Sequence, residues 1–258
     1  MNQLRVNGVT RRFGGLTALH DVSFTVEPGA IFGIIGPNGA GKTTLFNIVS
    51  GLDVPSEGEV AYGETVLTGR PPYAVAEQGL ARTFQNVSVF PSMTVRENVM
   101  IGRHRHCRAG LLASCLRLPR QRREEAAQRA DADRILDELA MAHLADTPVS
   151  ALAFGQRRMV ELARALAAEP SLLLLDEPAS GLTTRETDDL AAQIRRIRER
   201  GIAVLLVEHN MSLVMDVCET ILVLDFGKRI AHGAPADIRN DARVIEVYLG
   251  GERPDAAH

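Results

Sequence analysis

The sequence predicts an α/β fold with a mostly parallel sheet, and three observations lead there. Four short apolar runs, Ala30–Ile35, Leu172–Leu175, Ala203–Val207 and Ile221–Leu224, read as strands buried on both faces. Segments with helical periodicity lie between several of them, which makes the strands parallel with right-handed crossovers. A glycine-rich loop joins the first run to its helix, at the edge of the sheet where ligands of such folds bind. The chain has 258 residues, enough for one large domain or for a core carrying an inserted subdomain.

The elements follow in order. Leu4, Val6 and Val9, then Val22, Phe24 and Val26, alternate as half-buried strands do. Pro28-Gly29 marks a turn before the run Ala30–Ile35. Lys42 to Ser50 reads as a helix ended by Gly51. Glu124 to Leu144 reads as an amphipathic helix with Ile135, Leu136 and Leu139 on one face. Gln156 to Ala168 is a second helix, stopped by Pro170, so a mainly helical insertion is expected from about residue 88 to 168. Beyond Leu172–Leu175, Thr183 and Glu186 are spaced as a capping box for a helix over Thr184–Arg200. Residues 3–250 are expected to form a single domain, with 251–258 as a flexible tail.

Composition narrows the function. Apolar residues make up 45% and charged residues 24%, an ordinary globular balance. A net charge of −3 gives no general attraction to nucleic acid, so no nucleic-acid partner is expected. The 3 cysteines are too few for a disulfide framework. The N-terminus has no apolar core like that of a signal peptide, and no apolar run approaches the roughly 18 residues that span a bilayer. The expected location is cytoplasmic, with any membrane role acting through partner subunits. Residues 103–123 hold seven Arg and no acid, and read as a solvated face or a partner surface. His104, His106 and Cys107 cluster there without the spacing of a common zinc site.

Of the 29 cations only two are Lys, at 42 and 228, so a Lys against this Arg-rich background needs a reason. Gly36-Pro37-Asn38-Gly39-Ala40-Gly41-Lys42-Thr43 supplies one. It matches G-x-x-x-x-G-K-[ST] between a buried strand and a helix, the phosphate loop. Glycines let backbone N–H groups turn inward, and the helix start adds its dipole and free donors. A compact ammonium fits inside such a loop where a planar guanidinium does not. Thr43 offers a hydroxyl to Mg²⁺. Asp176 and Glu177 end the run Leu172–Leu175, which brings both to the same sheet edge. Asp176 suits Mg²⁺, and Glu177 is placed to deprotonate an attacking water. His209, at the end of Ala203–Val207, is set for a γ-phosphate contact. Gln85, after another expected strand, could reach Mg²⁺ or the water.

These residues, in this order, resemble the nucleotide-binding subunits of ABC transporters. Leu152-Ala153-Phe154-Gly155-Gln156 is similar to that family's signature, Leu-Ser-Gly-Gly-Gln, and lies 20 residues before Asp176. The resemblance implies a phosphate-loop NTPase core with a RecA-like sheet, an N-terminal antiparallel β subdomain and an inserted helical subdomain. It implies ATP and Mg²⁺ as cofactors, bound along Gly36–Thr44 with Thr44 included, and Phe13 stacked on adenine. It also implies a second ATPase subunit, identical or not, docked head to tail. Gly155 and Gln156 would then face the partner's γ-phosphate, with Glu177 as base, His209 as switch and Gln85 as sensor of the membrane subunits. Two departures stand out: Ala153 replaces the signature Ser, and Thr183 stands where the family often has Asp.

Ala81-Arg82-Thr83-Phe84-Gln85-Asn86, Phe90-Pro91, Glu97-Asn98-Val99 and the ending through Tyr248-Leu249-Gly250 are similar to the branched-chain amino-acid importer ATPases, the longer of their two subunits. That implies two transmembrane permeases, whose coupling helix would lie against residues 86–100. A periplasmic or lipoprotein binding protein acts indirectly, and the chain would be peripheral on the cytoplasmic face of the inner membrane. A urea or short-amide importer and a lipopolysaccharide exporter share much of the pattern. A soluble ABC ATPase would need a coiled-coil insertion or two cassettes, and a kinase would lack the signature.

Overall fold

A computed structural model describes residues 2–83, 88–103 and 119–249. Gln85, the cluster His104, His106 and Cys107, and the tail 251–258 therefore lie outside the described residues.

The first hairpin, β1 (Leu4–Phe13) and β2 (Leu16–Val26), pairs the residues that alternation singled out: Leu4 with Val26, Val6 with Phe24, and Val9 with Val22. With β4 (Glu57–Tyr62) and β5 (Thr65–Val66) it forms a four-stranded antiparallel sheet, in the order β2-β1-β4-β5. The second sheet has six strands: β3 (Ile31–Ile35), β6 (Leu80–Arg82), β7 (Leu172–Asp176), β8 (Ala203–Val207), β9 (Thr220–Asp225) and β10 (Lys228–Gly233). Their order is β10-β9-β3-β8-β7-β6, parallel except for the edge strand β10.

Unbroken apolar runs become strands here because helices cover one face of this sheet, and the first sheet with the helix Lys42–Val49 covers the other. Period-two alternation then splits each run between two cores. Leu173, Leu175, Val204, Leu206, Ile221 and Val223 join the core packed by the later helices. Leu172, Leu174, Leu205, Val207, Leu222 and Leu224 join the core shared with β1, β2 and the helix Lys42–Val49. Leu172–Leu175 are each at most 1% exposed, and each such burial stabilises the fold by about 1.5–3 kcal/mol.

Between β6 and β7 the described residues carry the helices Val95–Gly102, Pro119–Glu138 and Phe154–Ala167 and two short 3-10 turns. The helix expected over Glu124–Leu144 ends at Glu138 instead. Ala140 sits at φ 57, its N–H donates to Asp137 O, and Met141 N–H donates back to Leu136 O at 2.7 Å. That is a Schellman closure with Ala where Gly is usual, and it turns Met141 into the core. A left-handed Ala costs about 1–2 kcal/mol, so Ala140→Gly is expected to raise stability by about 0.5–1 kcal/mol once the freer unfolded glycine is counted. Chemical denaturation of the two chains reads this directly.

Candidate functional site

Three neighbouring strands of the second sheet end together. Ile34 pairs with Val207, and Val207 pairs with Asp176, so these residues sit at one level. Just past it the chain continues into Gly36, Glu208-His209 and Glu177. Glu208 N–H donates to Ile34 O at 3.3 Å and Glu177 N–H to Val207 O at 2.9 Å, which extends the alignment past the strands. The chain order places β8 and β9 on opposite sides of β3, so the crevice opens at a topological switch point.

Residues 36–41 form the loop that the motif predicts. A Cβ on Gly36 would meet Leu224 O at 2.2 Å, so only glycine lets β3 leave the sheet beside β9. Gly41, at φ 97, caps the helix Lys42–Val49 and leans on Ala18 O of the first hairpin, 2.6 Å from where its Cβ would be. That helix has no side-chain cap and no acid in its first turn, which leaves its free donors and positive end for an anion.

Lys42 is 7% exposed, and its ammonium donates to Gly36 O at 2.6 Å and Pro37 O at 2.9 Å. Burial lowers its pKa, and the charge of Glu177 partly restores it. A cavity of about 290 Å³ lies over the loop, lined by Asn38, Gly39, Ala40, Gly41, Lys42, Thr43, Thr44 and Glu177. Glu177 enters it from a left-handed backbone, φ 46, a conformation costing about 1–3 kcal/mol outside glycine. Such strain persists only where neighbours hold it, here the Val207 carbonyl.

Asp176 is 4% exposed, and Arg82 Nη2 donates to its Oδ2 at 2.8 Å. Burial raises the carboxyl pKa, and the Arg82 hydrogen bond and charge pull it back. His209 stands beside the cavity with its side chain 59% exposed, Nδ1 3.9 Å from Glu177 Oε2. Glu208, fully buried, is structural: its carboxylate accepts from the N–H groups of Ala179, His209 and Asn210 and so fixes the turn that aims His209.

Residues 38–44 and Glu177 thus line one cavity; Gly36 and Pro37 hold Lys42 beneath it, Asp176 directly precedes Glu177, and His209 stands 3.9 Å from that side chain. Three further expected site residues lie elsewhere. Phe13 is at the tip of the first hairpin, 47% exposed, with the Arg11 guanidinium 4.4 Å over its ring. Gly155 and Gln156 open the helix Phe154–Ala167 instead. There Gln156 Oε1 accepts from Ala153 N–H at 3.0 Å, half of a capping box; Ala153 has no hydroxyl for the other half. Gly155 has a packing reason of its own, since a Cβ would meet Glu186 Oε1 at 2.2 Å. Thr183 caps the helix Thr184–Glu199 as expected: its hydroxyl oxygen accepts from Glu186 N–H at 3.3 Å, and Glu186 Oε2 accepts from Thr183 N–H at 2.9 Å. Its stand-in for Asp is therefore committed to the helix start, a place Asp also fills well.

Sequence reasoning gave Arg82 no role, although it holds Asp176. The available signal was positional: an Arg closing a short strand beside one that ends in Asp, with Arg82 registered on Leu174.

The comparisons with known proteins fit this geometry. Residues 19–180 match the family described as ABC transporter, and residues 228–254 match that described as branched-chain amino acid ATP-binding cassette transporter. The chain is 42% identical over 248 residues to the high-affinity branched-chain amino acid transport ATP-binding protein BraF of Pseudomonas aeruginosa, covering 96% of this chain and 97% of that one. It is 40% identical to LivG of Escherichia coli with the same coverage. It is 37% identical to the lipopolysaccharide export ATP-binding protein LptB of Haemophilus influenzae over 97% of this chain and 98% of that one. A crystal structure of a nucleotide-free ATP-binding cassette from an ABC transporter superposes with a TM-score of 0.83 at 32% identity, over 96% of this chain and 99% of that one. The chain belongs to the ABC transporter family as an ATP-binding, ATP-hydrolysing cassette, in the group of the branched-chain amino acid transport ATP-binding proteins.

Proposed function

We propose that this chain powers an importer of branched-chain or related hydrophobic amino acids by binding and hydrolysing MgATP. The supporting observation is that Lys42, the loop amides and the strained Glu177 line one polar cavity, in a chain that matches BraF and LivG nearly end to end.

In this reading the triphosphate lies over Gly36–Thr44, with N–H groups of the helix start on its oxygens and Lys42 on the β- and γ-phosphates. Phe13 stacks on adenine. The Thr43 hydroxyl and Asp176 carboxylate are hard oxygen donors, a set that suits a cation completing its shell with water and phosphate. They would hold Mg²⁺, with Gln85 as a third donor by family resemblance, and the ion would neutralise phosphate charge. Glu177 accepts a proton from the attacking water, the resulting hydroxide attacks the γ-phosphorus, and ADP leaves. During this transfer His209 contacts the γ-phosphate and steadies Glu177, and the phosphoryl group ends as free phosphate.

A second ATPase subunit completes each site with its Gly155 and Gln156, whose helix start presents open N–H donors. Two membrane permeases dock on the helical side, and a periplasmic or lipoprotein binding protein delivers the substrate. Among the described residues no helix is long and apolar enough to cross a membrane. The chain would sit on the cytoplasmic face of the inner membrane, held by those permeases. A mostly apolar cleft of about 400 Å³, lined by Leu52, Val75, Leu80, Ile101 and Ala165 with Arg82, Glu161 and Arg164 beside them, supports a docking place for their coupling helix. Of the stretch expected to line that groove, residues 88–100 do not border this cleft; the helix Val95–Gly102 reaches it only with Ile101 and Gly102.

The test is reconstitution with the membrane subunits that co-purify. ATP-driven uptake of leucine into vesicles is expected, and it should stop in a Glu177→Gln complex. Transport of urea alone, or ATP-driven lipopolysaccharide extraction, would replace this substrate assignment.

A further inference from the structure

Arg82 sits where the phosphate-loop helix meets β7. Its Nη1 donates to Asn47 Oδ1 at 2.8 Å and to Ser50 Oγ at 2.7 Å, while Nη2 donates to Asp176 Oδ2 at 2.8 Å. Its guanidinium lies 4.9 Å from the centre of the Phe46 ring. Asn47, Ser50 and Phe46 all belong to the helix that Lys42 begins or to its cap. The arginine side chain is 11% exposed and that of Asp176 5%.

One planar group therefore binds two elements at once. Arg82 is registered on Leu174, two residues short of Asp176, so its side chain must run forward along the sheet to reach the carboxylate. Only a fork with donors on separate nitrogens serves the acid and the helix together; an ammonium is a single point. Fixing Oδ2 fixes the rotation of the carboxylate and with it the direction of Oδ1.

We propose that Arg82 is a positioning residue for the metal site: it orients Asp176 toward Mg²⁺ and locks that acid to the helix carrying Lys42 and Thr43. The inference rests on the reading of Asp176 as a metal ligand. Its test measures binding rather than turnover, with a fluorescent ATP analogue titrated with Mg²⁺ and, separately, in EDTA. Arg82→Met is expected to raise the Mg²⁺ needed for half-maximal enhancement by about 10-fold or more, with metal-free affinity changed far less, because the bonds from Lys42 to Gly36 O and Pro37 O that hold the loop do not involve Arg82. Asn47→Ala, which leaves Arg82 its charge but removes one anchor, should shift the Mg²⁺ dependence the same way by less. It also keeps the test open if Arg82→Met fails to fold. Arg82→Lys should recover only part of the loss.

Asp176→Asn separates the two claims. Loss of Mg²⁺ dependence there, with wild-type dependence in Arg82→Met and Asn47→Ala, would sink the role of Arg82 and spare the ligand. Wild-type Mg²⁺ dependence in Asp176→Asn would sink the ligand itself. An equal loss with and without metal in the Arg82 and Asn47 variants would make the arginine a support of the fold alone.

Discussion

Glu177→Gln is expected to bind ATP as the wild type does and to hydrolyse it about 10²-fold more slowly or worse, the range of a lost general base. That corresponds to about 2.7 kcal/mol or more of transition-state stabilisation. The amide keeps the shape of the side chain and its place over the loop but cannot take a proton from water. The backbone at φ 46 should be unaffected, because the Val207 carbonyl and the following turn hold it. Glu177→Gly is the companion variant: it should be equally inactive yet more stable by about 1 kcal/mol, having shed the left-handed strain. Single-turnover hydrolysis and a melting curve read the pair. Wild-type turnover in Glu177→Gln would move the base elsewhere, with His209, 3.9 Å away, the first to examine.

Lys42→Ala should lose ATP affinity by about 10²-fold or more, since charge-assisted hydrogen bonds contribute about 1.5–3 kcal/mol each and two phosphates are involved. The loop itself should survive. Ala40 N–H still donates to Pro37 O, Gly227 N–H still donates to Ala40 O, and Gly36 is still pressed against Leu224. Melting temperature should therefore move little while nucleotide titration fails. Lys42→Arg should not rescue, because the guanidinium is too wide for the space Lys42 fills between its own loop carbonyls. Wild-type affinity in Lys42→Ala would mean that the phosphates bind elsewhere.

The parts of the protein that could be read in advance are those in which chemistry is contiguous. Leu172–Leu175 announce a strand because four adjacent residues divide between two cores. The phosphate loop is legible because one turn needs all its residues side by side. The Thr183–Glu186 cap was visible for the same reason. By contrast, β4 begins with exposed Glu57, Gly58 and Glu59 and shows no alternation to find. The Arg82–Asp176 pair joins residues 94 apart and needs the strand register before it can be seen. Nothing in the residue type marks Glu177 or Ala140 as left-handed, because the surrounding bonds, not local propensity, put them there. Phe13, Gly155 and Gln156 entered through resemblance, and a single chain brings none of them to the cavity.

The contacts around Gly155 and Gly181 have a mechanical consequence. Glu186 presses where a Cβ of Gly155 would stand, and the Phe154 ring presses on Gly181, 2.9 Å from where its Cβ would be. The signature turn and the segment that follows Glu177 therefore touch at two points, the Glu186 carboxylate and the Phe154 ring. A tilt imposed on one from outside is expected to reach the other, and with it the neighbourhood of the chain's own base.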